Sequence, residues 1–157
     1  MAALAEPMKI LVVNSGSSTQ KSRVYEIGNS LPENPPDPVW QANVEWKENA
    51  ADIRIKTRGA RASEERSQTA PRREVLERLL RSLWEGDDRI VEKPSEICVV
   101  GHRIVHGGSK FYDPVIITDE VKRAIGSASA IAPLHNRAEL EAIELIEGLM
   151  GRIPQVA

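Results

Sequence analysis

The chain has 157 residues, 41% of them hydrophobic, with 21 Lys plus Arg against 23 Asp plus Glu, which fits one globular domain able to bury a core without disulfide or metal staples. Its single cysteine, Cys98, excludes an intrachain disulfide framework and suits a reducing, cytoplasmic setting. A formal charge of −2, the absence of a span-length apolar run, and only three Trp, two Tyr and one Phe argue against nucleic-acid, membrane and base-stacking roles.

Residues 1–7 lack the apolar centre of a secretory signal and read as an extension ahead of the folded part. The run Lys9-Ile10-Leu11-Val12-Val13 has the length and β-branching of a buried strand, and Asn14-Ser15-Gly16-Ser17-Ser18 breaks it. Ser22 to Ile27 alternates polar and apolar residues, so the two runs are expected to pair as a hairpin. Pro32, Pro35, Pro36 and Pro38 supply no ladder donors and mark a surface loop. Val39 to Glu45 and Ile53 to Thr57 read as strands. The basic stretch from Arg54 to Arg73 invites a nucleic-acid reading, but it lacks aromatics and is interleaved with Glu64 and Glu65, which favours a solvated connection into a helix.

Val75, Leu76, Leu79, Leu80 and Leu83 recur at helical steps between Pro71 and Gly86, predicting a core helix. Ile97 to Val100 is a second buried-strand run, in which Cys98 reads as a small core residue. A helix is expected from Thr118, with Asp119 and Glu120 in its first turn. Asn136 and Glu139 have capping-box spacing, and Leu140, Ile143, Ile146 and Leu149 continue an apolar stripe to Gly151, a helix stop. Gln155-Val156-Ala157 reads as the opening of a strand that returns to the sheet after a crossover, so a truncated domain set is expected.

Three polar clusters sit at strand or loop ends. Asn14 to Lys21 offers a glycine, several hydroxyls, backbone N–H groups and one fixed positive charge, the outline of phosphate chemistry; an ordinary Gly/Ser hairpin turn is the bland alternative. No Walker loop is present. Gly101-His102-Arg103-Ile104-Val105-His106-Gly107-Gly108 follows a strand, and Arg103 supplies a fork matched to carboxylate or phosphate. Zinc on His102 and His106 lacks further ligands at suitable spacing, so an anion site is favoured; histidines bonded to backbone are the structural alternative. Ala130 to Asn136 is a small-residue loop whose apolar members suit a short acyl chain, or simply a helix entry with Asn136 as cap.

Together these segments resemble the acetate and propionate kinase family, a branch of the sugar kinase, heat-shock and actin superfamily with a ribonuclease H-like fold. Asn14-Ser15-Gly16-Ser17-Ser18 with Lys21 is similar to its amino-terminal signature, Gly101 to Gly108 to its second, and Ala132-Pro133-Leu134-His135-Asn136 to its downstream loop. Thr19 and Gln20 stand where the family usually has serine and leucine; Thr19 keeps a hydroxyl, while Gln20 bears on the packing of the second strand.

The resemblance implies an α/β domain over residues 8–157 with a mixed sheet and crossover helices, the amino-terminal part of a protein more than twice as long. It implies that Asn14 helps hold Mg²⁺ and phosphates, that Lys21 meets the ATP phosphates, and that Ser17 and Thr19 line the same turn. Arg103 would bind the substrate carboxylate or acetyl phosphate, Val105 and Leu134 would form the methyl pocket, and His135 would lie near the transferring phosphoryl. ATP, acetate and acetyl phosphate are the implied partners, with a homodimer for the full-length family. The family's catalytic aspartate, transition-state histidine and arginine, adenosine site and magnesium-binding glutamate lie beyond Ala157, so the stretch is expected to be inactive alone. Propionate or butyrate as acceptor, and a non-catalytic anion-binding or regulatory module, are the alternatives.

Overall fold

The computed structural model describes residues 7–68, 71–108, 110–128 and 133–157, and for residues 133 and 134 the backbone alone. Strands β1 (Met8–Ser15), β2 (Thr19–Ile27), β3 (Trp40–Lys47), β4 (Ala50–Thr57) and β5 (Ser63–Gln68) run as an antiparallel meander. Helix α1 (Arg72–Arg81) leads to β6 (Ile97–His102), and α2 (Asp119–Ala128) and α3 (Pro133–Met150) cross over to the short β7 (Gln155–Val156). The sheet order is β5-β4-β3-β2-β1-β6-β7, with β6 and β7 parallel to β1, which gives the expected mixed α/β sheet. The expected extension over residues 1–7 falls outside the described residues except for Pro7.

Period-2 alternation sends Leu11 and Val13 of β1, Val24 of β2 and Trp40, Ala42 and Val44 of β3 to one face, where they meet Val75, Leu76, Leu79 and Leu80 of α1. Burying each of these aliphatic side chains contributes about 1.5–3 kcal/mol. Helix α3 serves two cores. Ala142, Leu145 and Ile146 join the sheet and α1, while Ile143 joins Val121 and Ile125 of α2. Gly151, at φ 72°, then ends α3 in the left-handed conformation, and its N–H donates to Glu147 O. Beyond β7, residues 115–117 lie along its outer edge, with Val115 and Ala157 exchanging both backbone hydrogen bonds at 3.0 and 2.9 Å.

Four sequence expectations are corrected. The stretch Arg54–Arg73 is not simply a solvated connection, since Ser63–Gln68 forms edge strand β5; Arg54 faces Glu64 and Asp52 faces Arg66 across the ladder, with ion pairs at 3.3 and 3.7 Å. Charge on an edge strand hides it from hydrophobic periodicity while blocking edge-to-edge pairing. Val12 is exposed on β1 because alternation turns it away from the face that α1 and α3 cover, whereas Cys98 is exposed because the β1–β6 register shifts at Lys9/Ile10 and leaves Cys98 unpaired between Ile97 and Val99, out of step with buried Ile97 and Val100. The Asn136/Glu139 capping box does not form. Helix α3 starts at Pro133, a residue suited to the first helical position, so Asn136 and Glu139 already lie inside the helix and bond elsewhere.

His102, at the end of β6, is buried and sits 2.7 Å from Gln155 Oε1. Gln155 donates its NH₂ to Ile143 O, so its oxygen faces the imidazole, which therefore carries its proton on Nε2. Burial pushes the His102 pKa from 6.5 down to about 4, opposed only in part by the Gln155 bond. The unfolded chain thus binds more protons in this window, so the His102 contribution is complete above 6.5 and is lost as the pH falls toward 4. The shift corresponds to about 3 kcal/mol at most. Urea unfolding at pH 7 and pH 4.5 is expected to show a marked loss of stability at the lower pH and a smaller loss in His102→Gln; equal losses in both proteins would contradict this reading.

Candidate phosphate and carboxylate site

Two of the three clusters, Asn14 to Lys21 and the loop that follows β6, meet at one end of the sheet; of the third, residues 130–132 and the Leu134 side chain lie outside the described residues, and Asn136 bonds to the second loop from α3. In β1, Val13 pairs with His102 of parallel β6, and the Arg103 N–H donates to Val13 O at 3.0 Å, so Asn14 and Arg103 leave adjacent strand ends side by side. In the other direction Asn14 is the direct register partner of Lys21 on β2, which puts the amide and the ammonium on one face, with Lys21 exposed. Strand ends where the sheet switches connection direction are where open α/β sheets bind ligands.

The β1–β2 turn is held from below by polar side chains. Buried Ser15 donates its hydroxyl to Gln20 Oε1 at 2.6 Å, and Gln20 Nε2 donates to Ser22 Oγ at 3.3 Å. Gln20 is thereby accommodated at an inward position of β2 without an unpaired amide. Gly16 donates its N–H to Thr19 O at 2.8 Å, and a Cβ there would sit 3.3 Å from the same oxygen, so the turn is close-wound at this point. Ser17, Ser18 and Thr19 are exposed at its tip.

Arg72, the first residue of α1, reaches across to the turn. Its Nη2 donates to Gly16 O at 2.8 Å and its Nη1 to Ser17 O at 3.2 Å, while the guanidinium lies 4.6 Å from the centroid of the Trp46 ring. Burial pushes its pKa down, and Glu141 of α3, 3.9 Å from Nε, pulls it back up. The Trp46 backbone N–H completes the support by donating to Ser18 O at 2.9 Å.

The second loop is anchored by α3. The Val105 N–H donates to both carboxylate oxygens of Glu139, at 3.1 and 3.2 Å, and Asn136 Nδ2 donates to His106 O at 2.9 Å and to Ile125 O at 3.1 Å. Glu139 is buried, and desolvation pushes its pKa up against the Val105 hydrogen bond and the positive potentials of His135 and Arg103. Val105 is thus held directly on the Glu139 carboxylate, with Arg103 two residues before it on the same loop. Arg103 and His135 are exposed, and Val105 is 42% exposed, so all three face outward. The Leu134 side chain lies outside the described residues. Arg103 also borders a cleft of about 310 Å³ lined by Ile104, Phe111, Val115 and Val121, which Val105 does not line. Gly107 is obligatory here, since an added Cβ would run into Phe111 O.

The two histidines do not converge on a metal. His102 is committed to Gln155, and His106 Nδ1 accepts the Gly108 N–H at 3.0 Å; among the described residues no three His, Cys, Asp or Glu side chains gather as a metal site. The Arg72 clamp and the hold of Glu139 on Val105 escaped the sequence reading, which had Glu139 only as a cap. Their partners are backbone atoms that are remote in sequence, and no local pattern announces them.

A model of the Acetokinase family matches residues 9–157. An acetate kinase of Cyanothece sp. is 47% identical over 152 residues, covering 96% of this chain and 37% of that protein. An acetate kinase of Acaryochloris marina is 44% identical over 151 residues, covering 96% and 38%. Among solved structures, the acetate kinase of Porphyromonas gingivalis superposes with a TM-score of 0.77 at 30% identity, covering 95% of this chain and 36% of that one. A propionate kinase from Francisella tularensis superposes with a TM-score of 0.77 at 27% identity, covering 96% and 36%. The chain thus spans little more than a third of the length of the curated relatives it matches.

Removing the Glu139 carboxylate leaves the Val105 N–H without its acceptor. Loss of a hydrogen bond to a charged group, about 1.5–3 kcal/mol, predicts amide exchange at Val105 faster by about tenfold or more in Glu139→Ala, with Val100 in β6 unaffected. Unchanged exchange at Val105 would show that the loop is held by other contacts.

Proposed function

The chain belongs to the acetokinase family, and from that premise we propose that it supplies the phosphate-binding and carboxylate-binding part of a kinase that moves a phosphoryl group reversibly between ATP and acetate. The observation that carries this reading is the convergence at the β1–β6 strand ends of a hydroxyl-rich turn with a lysine and a loop with an exposed arginine. Such a pair can hold a polyphosphate and a carboxylate side by side.

In the proposed reaction a carboxylate oxygen of acetate attacks the γ-phosphorus, the bond to the bridging oxygen breaks, and ADP and acetyl phosphate leave with no net proton transfer. Little covalent work falls to the protein, whose task is positioning and charge stabilisation. Lys21 would neutralise the ATP phosphates, with Ser17 and Thr19 of the same turn donating to their oxygens. Arg103 would grip the acetate carboxylate, or the phosphate of acetyl phosphate in reverse, through its two-pronged fork. Val105 and Leu134 would bound the methyl group, and His135 would approach the transferring phosphoryl.

Mg²⁺ fits this arrangement in a limited sense. It prefers oxygen ligands and usually keeps waters and substrate phosphates in its shell, so Asn14 would provide one carbonyl oxygen beside phosphates held at Lys21. Bound there, the ion would neutralise phosphate charge. The donors in this stretch are too few to carry turnover by themselves, so the stretch alone is proposed to be inactive. A cytoplasmic setting accords with the lone cysteine, and the proposed full-length assembly is a homodimer.

The likeness to a propionate kinase favours a second reading at the level of acceptor length, in which the same arginine grips propionate or butyrate and the apolar wall is deeper. Acetyl phosphate titrated into the ¹⁵N-labelled chain is expected to shift the amides of residues 103–106, and Arg103→Leu is expected to abolish the shifts, because no uncharged side chain replaces a bidentate fork. Equal affinity in the variant would remove Arg103 from the site.

A further inference from the structure

The tip of the β1–β2 turn has its carbonyl groups drawn inward. Arg72 binds Gly16 O and Ser17 O, and the Trp46 backbone N–H binds Ser18 O, so two consecutive carbonyls point toward α1 and the third toward β3. In a planar trans peptide the C=O and the N–H of one unit point to opposite sides. The N–H groups of Ser17 and Ser18 are therefore turned away from α1, and that of Thr19 away from β3, on residues that are themselves exposed. Successive N–H groups directed to one side form an anion-binding concavity.

We infer that Arg72 is a positioning residue which, by clamping Gly16 O and Ser17 O from behind, aims the turn's amides at the phosphate oxygens of a nucleoside triphosphate. The inference rests on the phosphate reading of this turn given above and assigns a role to a residue 55 positions away from it. Arg72 does not reach the anion itself, because two of its nitrogens are spent on the carbonyls and its flat face is stacked on Trp46. The planar fork matters as much as the charge. Lysine would offer a point charge on a flexible stem, unable to bridge two carbonyls in a fixed plane while stacking on an indole.

Inorganic tripolyphosphate titrated into the ¹⁵N-labelled chain is expected to shift the Ser17, Ser18 and Thr19 amides. Both Arg72→Met and Arg72→Lys are expected to weaken that binding by about tenfold, equivalent to 1.4 kcal/mol, with acetyl phosphate binding at residues 103–106 unchanged. Wild-type affinity in Arg72→Lys would show that charge rather than the clamp is what counts, and wild-type affinity in both variants would leave Arg72 without a role; either overturns the inference. Parallel loss of acetyl phosphate binding would reveal a general structural defect and overturn it too. Absence of turn shifts in the unsubstituted chain is a distinct outcome, removing the phosphate reading and with it the role of the clamp.

Discussion

The parallel pairing of β1 with β6 brings segments about ninety residues apart in sequence to neighbouring strand ends, and the rest of the site depends on it. Val13 lies beside His102, and the Arg103 N–H extends the ladder by one more bond to Val13 O. A one-residue slip would turn every side chain of β6 to the opposite face, burying what is now exposed and expelling His102 from its bond with Gln155. The register is fixed by the apolar residues on the core side, Leu11 and Val13 on one strand and Ile97 and Val100 on the other. Packing of the core thus determines where the charged side chain of Arg103 is presented.

Helix α3 transmits the same constraint to the loops. Its inner residues are committed to two hydrophobic clusters, which hold the helix against both the sheet and α2. From that rigid support Glu139 holds Val105, Asn136 holds His106, and Glu141 lies beside the guanidinium that grips the β1–β2 turn. Loops supported by buried side chains on a regular element keep their geometry better than loops left to their own contacts. A buried carboxylate is costly, and Glu139 offsets that cost with the Val105 N–H shared between its two oxygens and the nearby positive charge of Arg103.

What was legible in the sequence was whatever local chemistry decides. The hairpin followed from two apolar patterns separated by Gly and Ser, α1 from its leucine spacing, and the end of α3 from Gly151. Edge strand β5 was hidden because only Ser67 of its six residues is buried, leaving no alternation to detect. The position of Cys98 depended on the shift in register between β1 and β6 that skips it, a pairing fact that no local pattern carries. Asn136 and Glu139 did have cap spacing, but Pro133 starts the helix earlier, and both side chains serve the neighbouring loop instead. Local chemistry pointed to an anion site at the hydroxyl-rich turn with Lys21 and at Arg103; the roles expected of Asn14, Ser17, Thr19, Val105 and His135 came from the family resemblance of their segments. Arg72 was not, because its role exists only once α1 has packed beneath a turn far away in the chain.

The central claim is that the β1–β2 turn and the loop after β6 form one site rather than two. Manganese, a paramagnetic substitute for magnesium, broadens amide signals close to it, and a titration of the ¹⁵N-labelled chain with Mn²⁺–ATP reads that distance directly. The account predicts broadening at residues 14–19 together with residues 103–106, with the distant strand β5 spared. Broadening confined to one segment, or scattered over acidic surface residues alone, would contradict it.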